Sequence, residues 1–131
     1  MRMLGIDFGE KRIGMAITDK GGKIALPLSV AKDIDEVVRV VKERGVEKII
    51  VGMPLSLKGK RGRMAKKTEV FIEELKKRVD VPVEEWDERF STKEALRIGN
   101  KENKDAIAAA IILQSYIEGK DEACRNNRFP S

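Results

Sequence analysis

Apolar and polar positions in the first quarter of the chain alternate in a way that predicts three short strands. Two apolar runs, over 3–7 and 12–18, are separated by a glycine-containing turn and indicate a hairpin. A second turn leads to a third strand over 23–30, and Pro27 places that strand at a sheet edge, because proline cannot donate a hydrogen bond to a neighbour. The chain therefore begins with an antiparallel meander.

From Asp33 onward the pattern predicts helices that alternate with strands. Asp33 can cap a helix whose apolar residues recur at helical spacing and which ends near Gly45. The apolar run within 47–52 is typical of a strand buried on both faces. The remaining predicted elements are a helix over 64–78, a strand over 81–87, a short helix over 92–98 and a helix over 105–117 that is apolar nearly all round.

This order of elements predicts the α/β class. The expected sheet is five-stranded and mixed, with three antiparallel meander strands plus two parallel strands, and it is flanked by helices. A length of 131 residues suits one domain of ordinary size. We expect that domain to cover residues 1–119 and the polar residues 120–131 to form a frayed C-terminal tail.

The absence of histidine narrows the possible chemistry more than any other feature of the composition. It excludes Ser-His-Asp and Cys-His catalysis and histidine-ligated zinc. The single Cys124 excludes a disulfide within the chain, and no apolar run approaches the roughly 20 residues of a membrane span, so we expect a cytoplasmic protein with no membrane contact. With 27 Lys and Arg against 22 Asp and Glu, the net charge of +5 suits a polyanionic partner.

Carboxylates stand at three informative places: Asp7 ends the first strand, Asp87-Glu88 end the last, and Asp105 begins the final helix. Strand ends of a mainly parallel sheet converge at one edge. Carboxylates gathered there repel one another unless a cation lies between them, and oxygen ligands favour Mg²⁺ or Mn²⁺. Two such metals can hydrolyse a phosphodiester without a protein base. Taken singly, each of these acids is more often structural than catalytic: an acid at a strand end commonly forms a turn, and Asp105 can complement the helix dipole.

The segment 58–67 holds six basic residues and no acidic residue. Its glycines let the backbone approach a phosphate, and the helix that follows adds free N–H donors. Other basic residues adjoin the acidic positions and are suited to hold flanking phosphates. The alternative is that the segment is only a solvated surface. The candidate nucleic-acid contacts are Lys11, Arg12, Lys58, Lys60, Arg61, Arg63 and Arg89.

Four motifs in a fixed order cover nearly the whole chain: Gly5–Ala16, Val51–Leu55, Asp87–Thr92 and Lys104–Gln114. Together they resemble the YqgF/RuvX family of Holliday junction resolvases or pre-16S ribosomal RNA nucleases. The resemblance implies a ribonuclease H-like fold. It also implies that the catalytic and metal-binding carboxylates are Asp7, Glu88 and Asp105, and that Arg89, Ser91 and Thr92 contact the substrate or orient the ligands.

Asp87 is the alternate to Glu88 as a metal ligand. Neighbouring residues of a strand point to opposite faces, so only one of the two can face Asp7, and the sequence does not decide which. We choose Glu88.

The resemblance implies a metal-dependent endonuclease with a two-metal site, and 5′-end processing of precursor 16S ribosomal RNA is the leading expectation. Resolution of four-way DNA junctions is an alternative. We expect a monomer or a homodimer, and a junction resolvase would need two active sites. The segment 96–104 is shorter than is usual in the family, which shifts substrate binding toward the segment 58–67.

Two further readings belong to other functional classes. One is a non-catalytic nucleic-acid-binding or transcription-associated protein, and the presence of every expected carboxylate argues against it. The other is an ATPase or kinase of the actin and sugar kinase type, which opens with a similar hairpin but binds ATP between two such domains. The length of this chain argues against that reading.

Overall fold

The computed structural model of the chain describes residues 1–55, 61–88 and 104–127, with the side chains of the last helix described as far as Gly119. The short helix expected over 92–98 lies outside these residues. The elements within them are β1 (Met3–Phe8), β2 (Ile13–Thr18), β3 (Ala25–Ala31), α1 (Ile34–Glu43), β4 (Lys48–Met53), α2 (Arg63–Arg78), β5 (Val83–Asp87) and α3 (Lys104–Asn127).

The strands of the described residues form one sheet in the order β3-β2-β1-β4-β5. β1 pairs with β2, and β2 with β3, in antiparallel orientation. β1 also pairs with β4, and β4 with β5, in parallel orientation. The predicted sheet of three meander strands plus two parallel strands is confirmed, and β3 lies at an edge, as Pro27 indicates.

The alternation of side chains along the strands divides the core into two layers. Leu4 and Ile6 of β1 are fully buried and pack with α1 and α2, on what we call the α1/α2 face. Met3 points to the other side of the same strand and packs with Ala109 and Leu113 of α3, on the α3 face. Within each strand, successive residues therefore meet different helices.

Side chains and glycine delimit α1 where the sequence predicts. Asp33 Oδ1 accepts a hydrogen bond from Glu36 N at 3.0 Å, and Glu36 Oε2 accepts one from Lys32 N at 3.0 Å. Beyond the other end of the helix, Gly45 has a φ of 63°, a left-handed conformation that glycine adopts without strain. Local hydrogen bonds are therefore sufficient to set both ends of α1.

The last helix, α3, is longer than its apolar pattern predicts. It continues past Ile117 and Gly119 to Asn127, so the segment expected to be a frayed tail has helical backbone as far as Asn127. Apolar spacing marks only the part of a helix that packs, and backbone hydrogen bonds extend a helix through polar residues that include no proline. No helix in the described ranges combines the length and the apolar character needed to cross a membrane.

A polar cluster on the α3 face connects the beginning of β4 to α3. Lys48 Nζ donates to Tyr116 Oη at 2.6 Å, and Tyr116 Oη donates to Glu84 Oε2 at 2.8 Å. Burial alone would lower the pKa of Lys48, but its hydrogen bonds with Tyr116 and Glu84 outweigh burial, and the pKa is raised. The Trp86 ring packs edge-on against Tyr116, with 5.4 Å between ring centroids. The cluster fixes α3 at the end of the sheet where β4 begins.

Tyr116→Phe should lower the free energy of unfolding by about 1–3 kcal/mol, because it removes the hydroxyl that bridges Lys48 and Glu84 while it keeps the ring. Urea unfolding followed by circular dichroism measures the change. Lys77→Gln is the control, since it removes only an exposed ion pair with Glu74 and should cost less than about 0.5 kcal/mol. Equal losses in the two variants would contradict a structural role for the cluster.

Candidate active site

A row of three residues across neighbouring strands forms the centre of the site on the α3 face. Asp7 of β1 pairs with Gly14 of β2. On the other side of β1, Ile6 pairs with Val51, so the next residue along β4, Gly52, lies beside Asp7. Asp7 is therefore flanked by two glycines at the carboxyl end of β1, the edge at which α/β sheets hold their ligands.

Gly14 allows the beginning of α3 to lie directly on the sheet. A Cβ atom at this position would overlap the backbone carbonyl oxygen of Asp105. That oxygen belongs to helix backbone, so it cannot turn aside as the end of a flexible side chain can. The absence of a side chain at Gly14 therefore places Asp105 beside the strand position that pairs with Asp7.

Gly52 provides space in the same way for the carboxylate of Glu88, which follows the end of β5. A Cβ atom on Gly52 would lie 2.8 Å from Glu88 Oε1 and 2.5 Å from Ile112 Cδ1 of α3. Glu88 therefore lies on the α3 face, against the strand next to Asp7. A side chain at position 52 would have to displace the side chains of Glu88 and Ile112.

Asp87 points to the other side of the sheet. It pairs with Met53, and Met53 is buried in the core of the α1/α2 face. Paired residues on adjacent strands share a face, so the side chain of Asp87 lies on the α1/α2 face as well. Of the two adjacent acids, Glu88 is the one that shares a face with Asp7, and its role as a ligand stays a proposal.

Three carboxylates from separate elements thus reach one face and one edge of the sheet: Asp7, Glu88 and Asp105. Their oxygen atoms are the donors that Mg²⁺ and Mn²⁺ prefer, so the residues fit a divalent cation in kind. Across the described part of the chain, no three acidic or cysteine side chains converge closely enough to form a complete ligand set.

Arg12 contacts one of these carboxylates. Its Nε atom lies 3.4 Å from Asp105 Oδ2, and its side chain is 71% exposed. Arg12 immediately precedes β2, and Gly9 N donates to its carbonyl oxygen at 3.0 Å, which closes the turn between β1 and β2. A cationic side chain therefore stands at the edge of the site that a phosphate would approach.

Glu10 connects this turn to the predicted basic segment. Its Oε1 atom accepts a hydrogen bond from Lys67 Nζ at 2.5 Å and lies 3.8 Å from Arg63 Nη2. The hydrogen bond with Lys67 is the main reason that the pKa of Glu10 is lowered. Sequence analysis missed Glu10, although an acidic residue directly before Lys11 and Arg12 in a turn is a signal that could have identified it.

Arg61 is a predicted nucleic-acid contact whose charge is already compensated. Its guanidinium donates to Glu69 Oε1 at 2.7 Å and to Glu85 Oε1 at 2.6 Å. The hydrogen bond with Glu85 is the main reason that the pKa of Arg61 is raised. Arg61 therefore connects α2 to β5 on the α1/α2 face. Of the other predicted contacts, Lys11 and Arg63 are exposed, and five lie outside the described residues: Lys58, Lys60, Arg89, Ser91 and Thr92.

An open cavity of about 510 Å³ lies on the α1/α2 face, between the beginning of α1 and α2. Phe8 and Phe71 are stacked in its wall, with 4.6 Å between ring centroids. Charged residues of both signs line it, among them Glu10 and Lys67. The cavity is separated from the three carboxylates by the sheet, so it is not the site that they form.

A protein family and its curated members match this chain over most of its length. The family profile described as "RuvX: Holliday junction resolvase" matches residues 1–119. A relative from Halothermothrix orenii, named "Putative pre-16S rRNA nuclease", is 40% identical over 132 aligned positions that cover 89% of this chain and 94% of that protein. A relative of the same name from Desulforamulus reducens is 37% identical and covers 90% of this chain and 97% of that protein.

Two solved structures share the fold. T. thermophilus RuvC in complex with a Holliday junction substrate superposes with a TM-score of 0.61 at 16% identity, over 92% of this chain and 96% of that chain. Another Thermus thermophilus RuvC structure superposes with a TM-score of 0.56 at 18% identity, over 92% of this chain and 97% of that chain. These matches confirm the ribonuclease H-like fold.

Gly14→Ala should destabilise the protein by roughly 1–3 kcal/mol, because the added Cβ overlaps backbone of α3 that can move only with the helix. Gly21→Ala is the control, since a Cβ there would have its nearest neighbour, Asp19 Oδ2, at 3.6 Å. Chemical denaturation of both variants measures the difference. An unchanged stability of Gly14→Ala would refute the direct seating of α3 on β2.

Proposed function

Because this chain belongs to the RuvX family, we propose that it is a metal-dependent endonuclease that hydrolyses phosphodiester bonds of structured nucleic acid. The proposed substrate is precursor 16S ribosomal RNA, processed at its 5′ end in the cytoplasm. The relatives from Halothermothrix orenii and Desulforamulus reducens, which carry pre-16S rRNA nuclease in their names, support this substrate.

One structural observation carries the chemistry. Asp7, Glu88 and Asp105 come from three separate elements and reach the same face of the sheet at the same edge. The two glycines that flank Asp7 leave the space for the other two residues: Gly14 of β2 for Asp105, and Gly52 of β4 for Glu88. Packing of an apolar core does not explain three acidic residues at these positions, whereas binding of a cation does.

The carboxylates of Asp7, Glu88 and Asp105 would hold the divalent cations. Mg²⁺ or Mn²⁺ bound there supplies activation of the attacking water and stabilisation of charge on the leaving oxygen. Asp7 lies on the central strand of the sheet, and the backbone of Asp105 rests against β2, so two of the three ligands start from rigid positions. This reaction requires no histidine base, so it is compatible with a chain that contains no histidine.

Basic residues near the same edge would bind the phosphates on either side of the scissile bond. Lys11 and Arg12 stand in the turn that follows Asp7, and Arg63 is 81% exposed at the beginning of α2. Their charges offset the repulsion between a polyanion and the acidic site. The proposed contacts also include Lys58, Lys60, Arg89, Ser91 and Thr92, whereas the guanidinium of Arg61 is held by Glu69 and Glu85.

The description of the family favours a second candidate, a Holliday junction resolvase. Such an enzyme cuts two strands and needs two active sites, which implies a homodimer, whereas a single site is enough to process one end of an RNA. A third candidate is a nucleic-acid-binding protein without catalysis. The three candidates differ in the substrate that is cut and in whether cutting occurs.

Asp7→Asn, Glu88→Gln and Asp105→Asn should each reduce cleavage at least 100-fold, because each removes a charged metal ligand. Asp87→Asn is the matched control: it makes the same change one residue away, on the other face of the sheet, and should keep cleavage within about threefold of wild type. The assay compares a precursor 16S ribosomal RNA fragment with a DNA four-way junction, in Mg²⁺, in Mn²⁺ and in chelator.

Each result of the cleavage assay points to one candidate. Metal-dependent cleavage of the RNA fragment supports the proposal, and faster cleavage of the junction favours the resolvase. Binding of either substrate without cleavage favours the non-catalytic protein. If Asp87→Asn is inactive and Glu88→Gln is active, the assignment of Glu88 is wrong.

Combined Lys60→Gln and Arg63→Gln should weaken RNA binding about equally for all sequences and reduce its dependence on salt, because phosphate contacts release bound counterions. Arg61→Gln should instead act mainly on stability, since its guanidinium is held by Glu69 and Glu85. Filter binding at several salt concentrations, with urea unfolding of the same variants, separates the effects. An unchanged salt slope in the double variant would exclude Lys60 and Arg63 as phosphate contacts.

A further inference from the structure

Arg12 makes a direct contact with Asp105, one of the three carboxylates of the candidate metal site. Its Nε atom lies 3.4 Å from Asp105 Oδ2. A divalent cation at the site would need the same carboxylate. Two cations that share one carboxylate repel each other, so Arg12 and the metal ion compete for Asp105 as long as Arg12 stays in this position.

The contact between Arg12 and Asp105 is weak enough to be exchanged. The arginine side chain is 71% exposed and the aspartate side chain 34% exposed, and exposed ion pairs contribute little to stability. The long side chain of an arginine can reach other partners from a fixed backbone. A phosphodiester is a suitable partner, because guanidinium groups bind phosphate oxygens through two parallel hydrogen bonds.

The backbone of Arg12 is fixed while its side chain is exposed. Gly9 N donates to the carbonyl oxygen of Arg12, and Glu10 in the same turn is bound by Lys67 of α2. On the other side, Asp105 is fixed by the contact of its carbonyl oxygen with Gly14. A change of partner therefore requires only rotation of the Arg12 side chain and no movement of the turn or the helix.

We propose that Arg12 is a positioning residue that exchanges Asp105 for a phosphate of the substrate, so that the carboxylate site binds a divalent cation more tightly once nucleic acid is present. This inference rests on the proposed nuclease function. By linkage, the cation must strengthen nucleic-acid binding by the same factor. The consequence is a nuclease whose metal site is completed mainly on its substrate, which limits metal binding in the free protein.

Arg12→Gln should therefore bind Mn²⁺ roughly three- to tenfold more tightly than wild type when no nucleic acid is present, because the competing charge is gone. Free Mn²⁺ is measured by electron paramagnetic resonance during titration of the full chain. Arg12→Lys should bind Mn²⁺ about as weakly as wild type, since it keeps the charge. Arg39→Gln on α1, an exposed position, makes the same substitution elsewhere and should change the affinity less than about twofold.

A second titration tests the exchange itself. A non-cleavable RNA analogue, with a methylene group in place of the bridging leaving oxygen at the cleavage site, should raise the Mn²⁺ affinity of wild type several-fold more than that of Arg12→Gln. A purely structural role of Arg12 would lower both affinities or neither, and it would not tighten metal binding in the free protein. Equal affinities of wild type and Arg12→Gln for Mn²⁺ in the free protein would overturn the proposal.

Asp105→Asn separates the failure of this proposal from a failure of the proposed function. If wild type binds Mn²⁺ and Asp105→Asn does not, but Arg12→Gln behaves as wild type, only the role of Arg12 is refuted. If Asp105→Asn binds Mn²⁺ as well as wild type does, with and without RNA, the carboxylate site is not a metal site and both proposals fall.

Discussion

Direct packing of α3 on the sheet is the constraint on which the candidate site depends. The helix lies so close that a Cβ atom on Gly5 would come within 2.6 Å of Leu113 Cβ, and a Cβ on Gly14 would overlap the carbonyl oxygen of Asp105. Larger residues at these positions would lift the helix and carry Asp105 away from β1. The same close packing brings Ile112 of α3 over β4, next to the place that Glu88 occupies. The geometry of the carboxylates is therefore a consequence of helix packing more than of loop conformation.

The alternation of strand residues assigns different tasks to the two faces. On the α1/α2 face, Glu85 and the side chain of Asp87 lie with the larger apolar core, and Glu85 binds Arg61. On the α3 face, the row through Asp7 has glycine on both neighbouring strands. The α1/α2 face thus contributes mainly to stability. The α3 face contributes to stability near the beginning of β4 and holds the candidate carboxylates at the other end of the strands. A strand allows this because adjacent residues point in opposite directions.

Charge at the edge of the sheet is balanced by specific pairs as well as by a general excess of basic residues. Asp105 is paired with Arg12, and Glu10 with Lys67, so the turn between β1 and β2 carries contacts to both α3 and α2. A segment that is basic in sequence is therefore partly neutralised where the structure describes it, as Arg61 shows. The net charge of +5 describes attraction of a polyanion at long range, whereas these pairs decide which cations are available at short range.

Local patterns in the sequence were sufficient for the class of the fold, the order of its elements, the caps of α1 and the edge position of β3, because propensity, spacing and turn chemistry act over a few residues. The four motifs were also sufficient to select Asp7, Glu88 and Asp105 as candidates. Only tertiary contacts decided that Glu88 and not Asp87 shares a face with Asp7, that Arg61 is bound by two glutamates, and that Glu10 meets Lys67. These contacts join residues that are far apart in the chain. They are set by the register of the strands and by the packing of α2 and α3 on the sheet, and a short window of sequence contains neither.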